Sequence, residues 1–392
     1  MEARPMKSPL ITIVAVAALA GCSSGSDVVA AAPAATDVAP LAANAQSCSG
    51  GSCGGVLRQI SRAPTSSAST VPPNGDVNPY GVAFVPAVFP AGGALSPGDV
   101  VVANFNNSAN LQGTGTTVVR VNPGGAPTVF FSDVTAPGFS TALGVLSSGF
   151  VVLGNVPSAN NDGVCNDFDT DVGAGSISII DRSGVLVNRY VDTMVLDGPW
   201  DLTVVDNVTS ALVFVSNVKS GAISRMNFSI GAAGPHLDST TQISSGYPHR
   251  CDAGAFVVGP TGLAYDSAAD VLYVTSPDEN AIFSVANAAG ATGDQGKGRL
   301  VIQDNTHFHG PLGLVRASNG NLVSAQGDAV NFDKSHPSAI VEVTQTGAFV
   351  SQFTINRAPG SAFGVALEES AAGSRFAAVD DGKNVLDVWN LR

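Results

Sequence analysis

One pattern constrains this chain more than any other: six times over, an apolar strand is built around a small or turn-like residue. The six are Tyr80-Gly81-Val82-Ala83-Phe84, Leu143-Gly144-Val145-Leu146, Trp200-Asp201-Leu202-Thr203-Val204, Thr261-Gly262-Leu263-Ala264-Tyr265, Leu312-Gly313-Leu314-Val315 and Phe363-Gly364-Val365-Ala366-Leu367, with anchors spaced 51 to 63 residues apart. Self-similarity at a near-regular period marks an architecture assembled from repeated units, so the repeat, rather than chain length, sets the domain count. After each anchor comes a second strand ending in a polar residue: Asn104, Asn155, Asn217, Ser276, Gln326 or Asp380. A third strand follows, such as Ser176-Ile177-Ser178-Ile179-Ile180, whose alternation fits a half-buried strand. With 12% charged residues, 44 Gly and 23 Pro, composition favours short strands and tight turns over amphipathic helices. An all-β fold is the expectation.

The blades read as Pro-x-Gly-apolar, then a strand ending in Asn or Asp, then an Asn-x-Ile-like third strand; residues 259–285, with Asn280-Ala281-Ile282, fit best. This resembles the NHL-repeat family of six-bladed β-propellers over roughly residues 56–391, with the propeller domain expected over residues 55–392. The resemblance implies a ring of six four-stranded sheets. Because the sixth repeat reaches only its third strand before Arg392, an N-terminal strand is expected to complete it, and residues 56–61 have the right length and pattern. Such pairing would remove an exposed edge and lock the ring.

At the N-terminus, Arg4 and Lys7 precede an apolar run over residues 10–20, the layout of a secretory signal. That run is too short for a stable membrane span. Leu19-Ala20-Gly21-Cys22 resembles the lipobox of bacterial lipoproteins, which implies a signal peptide over residues 1–21 and a diacylglyceryl group on Cys22. Ser23, in place of an acidic residue, implies the outer membrane, facing the periplasm or the cell surface. Residues 22–54 are rich in Ala, Ser and Pro and read as a flexible tether. Export to an oxidising compartment leaves Cys48, Cys53, Cys165 and Cys251 for two disulfides. Three connectivities are open; the short Ser-Gly-Gly-Ser loop favours Cys48 with Cys53, leaving Cys165 to pair with Cys251.

The family resemblance also sorts loops by face. Those leading into inner strands and those joining second to third strands emerge on one upper face, where such propellers bind ligands. His249, His307, His309 and His336 fall there, as does the insert carrying Asp162, Asp167, Asp169 and Asp171. Histidines converging from loops would suit zinc, as in amidating-lyase propellers, yet the matching strand starts here read Trp200, Thr261 and Leu312. Alternating Asp residues would suit calcium, although no Glu closes the loop. Solvated loops are the plainer reading of both sets. Asn104, Asn155, Asp201, Asn217 and Asp380 are candidate ligand-binding residues at the channel, and Asp201 stands out because Gly fills its place in the other five repeats.

No nucleophile and base occur in a recognisable arrangement, and no cofactor fingerprint appears. The sequence therefore points to a lipid-anchored binding or scaffolding module, with a metal-dependent hydrolase or lyase of the gluconolactonase-like or amidating-lyase-like kind as the alternative. Its partners would be the membrane, through Cys22, and a protein or small-molecule ligand on the upper face. Nucleic acid is excluded by a net charge of −13, with no basic patch to offset it.

Overall fold

Runs of β-branched and aromatic residues, broken every few positions by Gly, Asn, Asp and Pro, form strands throughout the computed structural model, which describes residues 54–370 and 373–391. A short strand, β1 (Ser66–Ser69), leads into blade one: β2 (Val77–Phe84), β3 (Val100–Asn106), β4 (Thr117–Val121) and β5 (Thr128–Ser132). Blade two holds β6 (Phe139–Leu146), β7 (Phe150–Asn155), β8 (Ser176–Asp181) and β9 (Leu186–Tyr190). Blade three holds β10 (Pro199–Asp206), β11 (Ser210–Asn217), β12 (Ala222–Gly231) and β13 (Gly234–Ser244). A hairpin, β14 (Arg250–Asp252) and β15 (Phe256–Val258), interrupts the path to blade four, β16 (Leu263–Asp266), β17 (Val271–Ser276), β18 (Ala281–Ala286) and β19 (Arg299–Gln303). Blade five is β20 (Pro311–Arg316), β21 (Leu322–Gln326), β22 (Ala339–Val343) and β23 (Phe349–Thr354). Blade six is β24 (Ala362–Ser370), β25 (Gly373–Asp380) and β26 (Val385–Asn390), completed by β1. Among the described residues this makes six four-stranded antiparallel sheets and one two-stranded hairpin, the six-bladed β-propeller expected.

The ring is closed by an N-terminal strand, but not by residues 56–61. Ser66 to Ser69 pair antiparallel with Val388 to Val385, and Thr70 donates both its N–H and its hydroxyl to the Asn384 carbonyl. The expected segment instead forms a helical turn, α1 (Val56–Gln59). Its two apolar side chains, Val56 and Leu57, join a cluster with Ile340, Phe376 and Trp389 of blades five and six. Their N–H groups donate to the buried Glu342 carboxylate at 2.9 and 3.0 Å. The reason for the difference is physical: an outermost strand needs only backbone pairing, so the polar Ser66-Ser67-Ala68-Ser69 suffices, and the apolar stretch is better used covering a seam.

The anchor glycines have a common cause. A Cβ on Gly364 would stand 1.8 Å from the Tyr80 carbonyl oxygen, on Gly262 2.1 Å from that of Leu312, and on Gly313 2.7 Å from that of Phe363. A Cβ on Gly81 would likewise stand 3.0 Å from the Ser140 carbonyl oxygen, whereas one on Gly144 would meet the side chains of Leu202 and Val204. Asp201 is the exception, and its carboxyl instead accepts the Leu202 N–H at 2.7 Å and is aimed at the Leu263 N–H across the blade three to blade four junction. A short helix, α2 (Phe168–Asp171), lies in the blade-two insert.

Candidate functional site

The upper end of the channel is filled by aromatic rings. Tyr80 stacks on Phe363 (centroids 4.4 Å apart) and on Phe105 (4.7 Å), with Trp200 edge-on at 5.6 Å. Phe256, from the β14–β15 hairpin, closes on Phe105. These side chains make a desolvated plug that separates the upper face from the channel below.

The hairpin reaches this position because three ties hold it. Cys251 is disulfide-bonded to Cys165 of the blade-two insert, with Cα atoms 5.2 Å apart, which is the long-range pairing expected. Arg250 donates to Asp278 at 2.9 Å and to Asp252 at 2.5 Å. Gln112 donates to the Gly254 carbonyl at 2.7 Å.

Above the plug and beside the hairpin lies a cavity of about 540 Å³ lined by Asn78, Tyr80, Asn106, Asp252, Asp328 and Asp381, among others. Asn78 is 6% exposed and Asn106 2%. Asn78 Oδ1, Asn106 Oδ1 and Asp328 Oδ1 are buried acceptors with no hydrogen-bond partner in the protein. The other Asp328 oxygen is well used, accepting the N–H groups of Ser338 (2.8 Å) and Gly360 (2.9 Å). An unsatisfied buried acceptor is costly, and these three belong to residues that line one cavity. All three are oxygens.

Electrostatics agree. Burial, reinforced by the charge of Asp380, pushes the Asp381 carboxyl up to about 7. Burial likewise raises Asp328, against the N–H donors of Gly360 and Ser338. Asp252 is different: burial would raise it, but Arg250 and the Ala255 and Gly254 N–H groups outweigh that and hold it low. Arg250 is already committed to Asp252 and Asp278, so the pocket is short of positive charge.

A stability prediction follows from Asp381. Its carboxyl titrates near 3.8 ordinarily and near 7 here, so between those values the folded state holds the extra proton. This contribution is complete below about pH 4 and is lost as pH rises through 7, amounting to a few kcal/mol. Thermal melts from pH 4 to 8 should show wild type losing stability relative to D381N over that window. Parallel profiles would contradict the assignment.

The residues singled out from sequence lie elsewhere. Asn104 donates to the Thr70 carbonyl (3.0 Å), Asn155 to that of Pro137 (2.8 Å), and Asn217 accepts the Asp197 N–H (3.1 Å). Gln326 accepts the His309 N–H (2.9 Å), and Asp380 accepts from Asn356 (2.6 Å) and Lys383 (2.6 Å). In each case the end of the second strand ties down the loop leading into its own blade, so these side chains fasten the blades. Asp201 lies below the plug. His249 bonds the Tyr247 carbonyl, His307 pairs with Asp304 and stacks on Phe349, His309 bonds the Asn331 carbonyl, and His336 pairs with Asp333. Asp167 caps α2 through the Asp169 N–H, Asp171 accepts the Asn166 and Asp167 N–H groups, and Asp162 accepts that of Val164. Among the described residues, no three His, Cys, Asp or Glu side chains group as metal ligands. Cys22, Cys48 and Cys53 lie outside the described residues.

The pocket residues were within reach of the pattern. Asn106 stands two places beyond Asn104, Asp328 two beyond Gln326, and Asp381 directly after Asp380. Following the second strand a little further, into the connection on the upper face, would have found them.

No family model and no curated protein matches the sequence. Solved structures similar to the chain include a luciferin-regenerating enzyme (TM-score 0.49, 11% identity, covering 83% of this chain and 94% of the other). A gluconolactonase from Xanthomonas campestris gives 0.48 at 14% identity, covering 86% and 99%. The calcium-binding protein regucalcin from Agrobacterium tumefaciens gives 0.49 at 13% identity, covering 84% and 94%.

Proposed function

We propose that this chain is a lipid-anchored, extracytoplasmic, NHL-like propeller acting as a binding module, and that its ligand is held in the upper pocket through a divalent cation. The observation that carries this reading is the set of three partnerless buried oxygens around one acidic cavity. Carboxamide and carboxylate oxygens from Asn78, Asn106, Asp328 and Asp381 make an all-oxygen donor set, which suits calcium. Zinc favours nitrogen and sulfur donors, and no histidine or cysteine lines the cavity. Calcium would stabilise the ionised form of Asp381, so its binding should strengthen as pH rises through 7.

The test is a calorimetric titration of the detergent-solubilised full chain with CaCl₂. Saturable binding that weakens at least tenfold in D328N, and is unchanged in H336A, is the expected result. No binding, or equal binding by D328N, would remove the reading.

One observation favours the alternative of a metal-dependent hydrolase of the gluconolactonase-like kind. A carboxyl held near pH 7 is suited to general acid–base work, and Asp381 is such a group. Calcium-dependent hydrolysis of glucono-1,5-lactone, lost in D381N, would favour it over simple binding. The amidating-lyase-like form has less support, because its histidines each bond elsewhere.

The anchor is testable separately. Each buried acyl methylene contributes about 0.8 kcal/mol to membrane attachment, so Cys22→Ser should abolish labelling by radioactive palmitate and release the protein from membranes. A labelled or membrane-bound C22S protein would contradict the anchor.

A further inference from the structure

Below the aromatic plug the six inner strands enclose a second cavity of about 440 Å³. Each inner strand is the free edge of its sheet, so backbone N–H and C=O groups border this space alongside Leu143, Leu202, Leu314 and Val365. Glu368 and Glu369 are its other charged lining residues, and no Lys, Arg or His contributes. Asp201 also lines it, 8% exposed and two residues from the inner end of β10 at Pro199, close under the plug.

The five other blades keep glycine at the place of Asp201, and a hydrogen-bonded bridge to Leu263 needs no charge. What distinguishes Asp201 is a carboxyl inside a cavity with no cation paired to it among the described residues. Burial pushes that carboxyl well above its ordinary range, against the Leu202 and Leu263 N–H groups, which is the condition of an acid without a counter-ion. The cavity therefore combines a buried carboxyl without a counter-ion, open strand edges and aliphatic side chains. Glu368 is already paired with Arg375 at 2.7 Å, and a ligand that brings a positive charge to Asp201 is favoured over one that brings a further carboxylate.

We propose that this lower cavity is a second binding site, for a small organic ammonium ion, with its nitrogen at Asp201 and its aliphatic body against Leu143, Leu202, Leu314 and Val365. A cation offers three N–H donors to one carboxylate and to strand-edge carbonyls. The aliphatic body then gains from leaving water, about 0.8 kcal/mol per methylene.

The full chain is titrated calorimetrically with n-pentylammonium, 1-pentanol and pentanoate. The expected result is that pentylammonium binds at least tenfold tighter than the other two and that D201N removes this advantage. D328N, in the upper pocket, should leave it intact, which separates this site from the calcium site. Val315→Trp, which fills the lower cavity while sparing Asp201, should also abolish binding and serves if D201N fails to fold. Equal binding of pentanol or pentanoate, or undiminished binding of pentylammonium by folded D201N or V315W, would overturn the proposal.

Discussion

Gly364→Ala is expected to cost more than about 4 kcal/mol, enough to lower the melting temperature by roughly 10 °C or to prevent folding. Overpacking by one methyl ordinarily costs about 1–3 kcal/mol because a neighbouring side chain can move. Here the neighbour is backbone: the added Cβ would sit 1.8 Å from the Tyr80 carbonyl oxygen and 3.1 Å from its carbon. Tyr80 has little freedom to retreat, since its ring is stacked between Phe363 and Phe105. The clash falls at the junction of blades six and one, where the ring closes. Gly231→Ala is the control, because nothing lies within 4 Å of its Cβ, and it should change stability by less than about 0.5 kcal/mol. Thermal and urea melts of both variants check the pair. A G364A protein as stable as G231A would mean that the inner strands are not packed this closely.

Cys251→Ser should lose about 2–5 kcal/mol and weaken calcium binding as well. The bond links residues 86 apart, and closing a loop of that length in the unfolded chain supports a value near the upper end of the range. Its second effect is local. The β14–β15 hairpin forms one wall of the upper pocket and carries Asp252, and without the bond it keeps only Arg250, Gln112 and the packing of Phe256. Melts and CaCl₂ titrations of C251S, and of wild type under reducing conditions, should agree with one another. A variant with unaltered melting temperature and calcium affinity would show that the other ties suffice.

The repeat was legible because it is built on backbone need. Glycine recurs where one inner strand meets the next, and apolar strands recur because each sheet packs on a blade at either side, so blade number and order could be read directly. The clasp was not legible, since Ser66-Ser67-Ala68-Ser69 carries no apolar pattern and pairs through main-chain groups alone. The upper-pocket residues stand in the connections singled out from sequence, but they are not the residues named there. Asn104 and Asp380 have the composition of ligand-binding groups, yet the same donors and acceptors serve equally to fasten a loop. Only the neighbouring blades decide which, and they bring Asn106, Asp328 and Asp381 together from three different blades. The disulfide between Cys165 and Cys251 was foreseeable from cysteine number and face, whereas the hairpin that it secures was not, because Arg250-Cys251-Asp252 has no strand-like run.

Crystals soaked in MnCl₂, a calcium substitute with a strong anomalous signal, would locate the cation directly. A peak among the side-chain oxygens of Asn78, Asn106, Asp328 and Asp381, absent from D328N crystals, is the predicted result. A pocket without a peak, or a peak that survives in D328N, would contradict a cation-binding upper face.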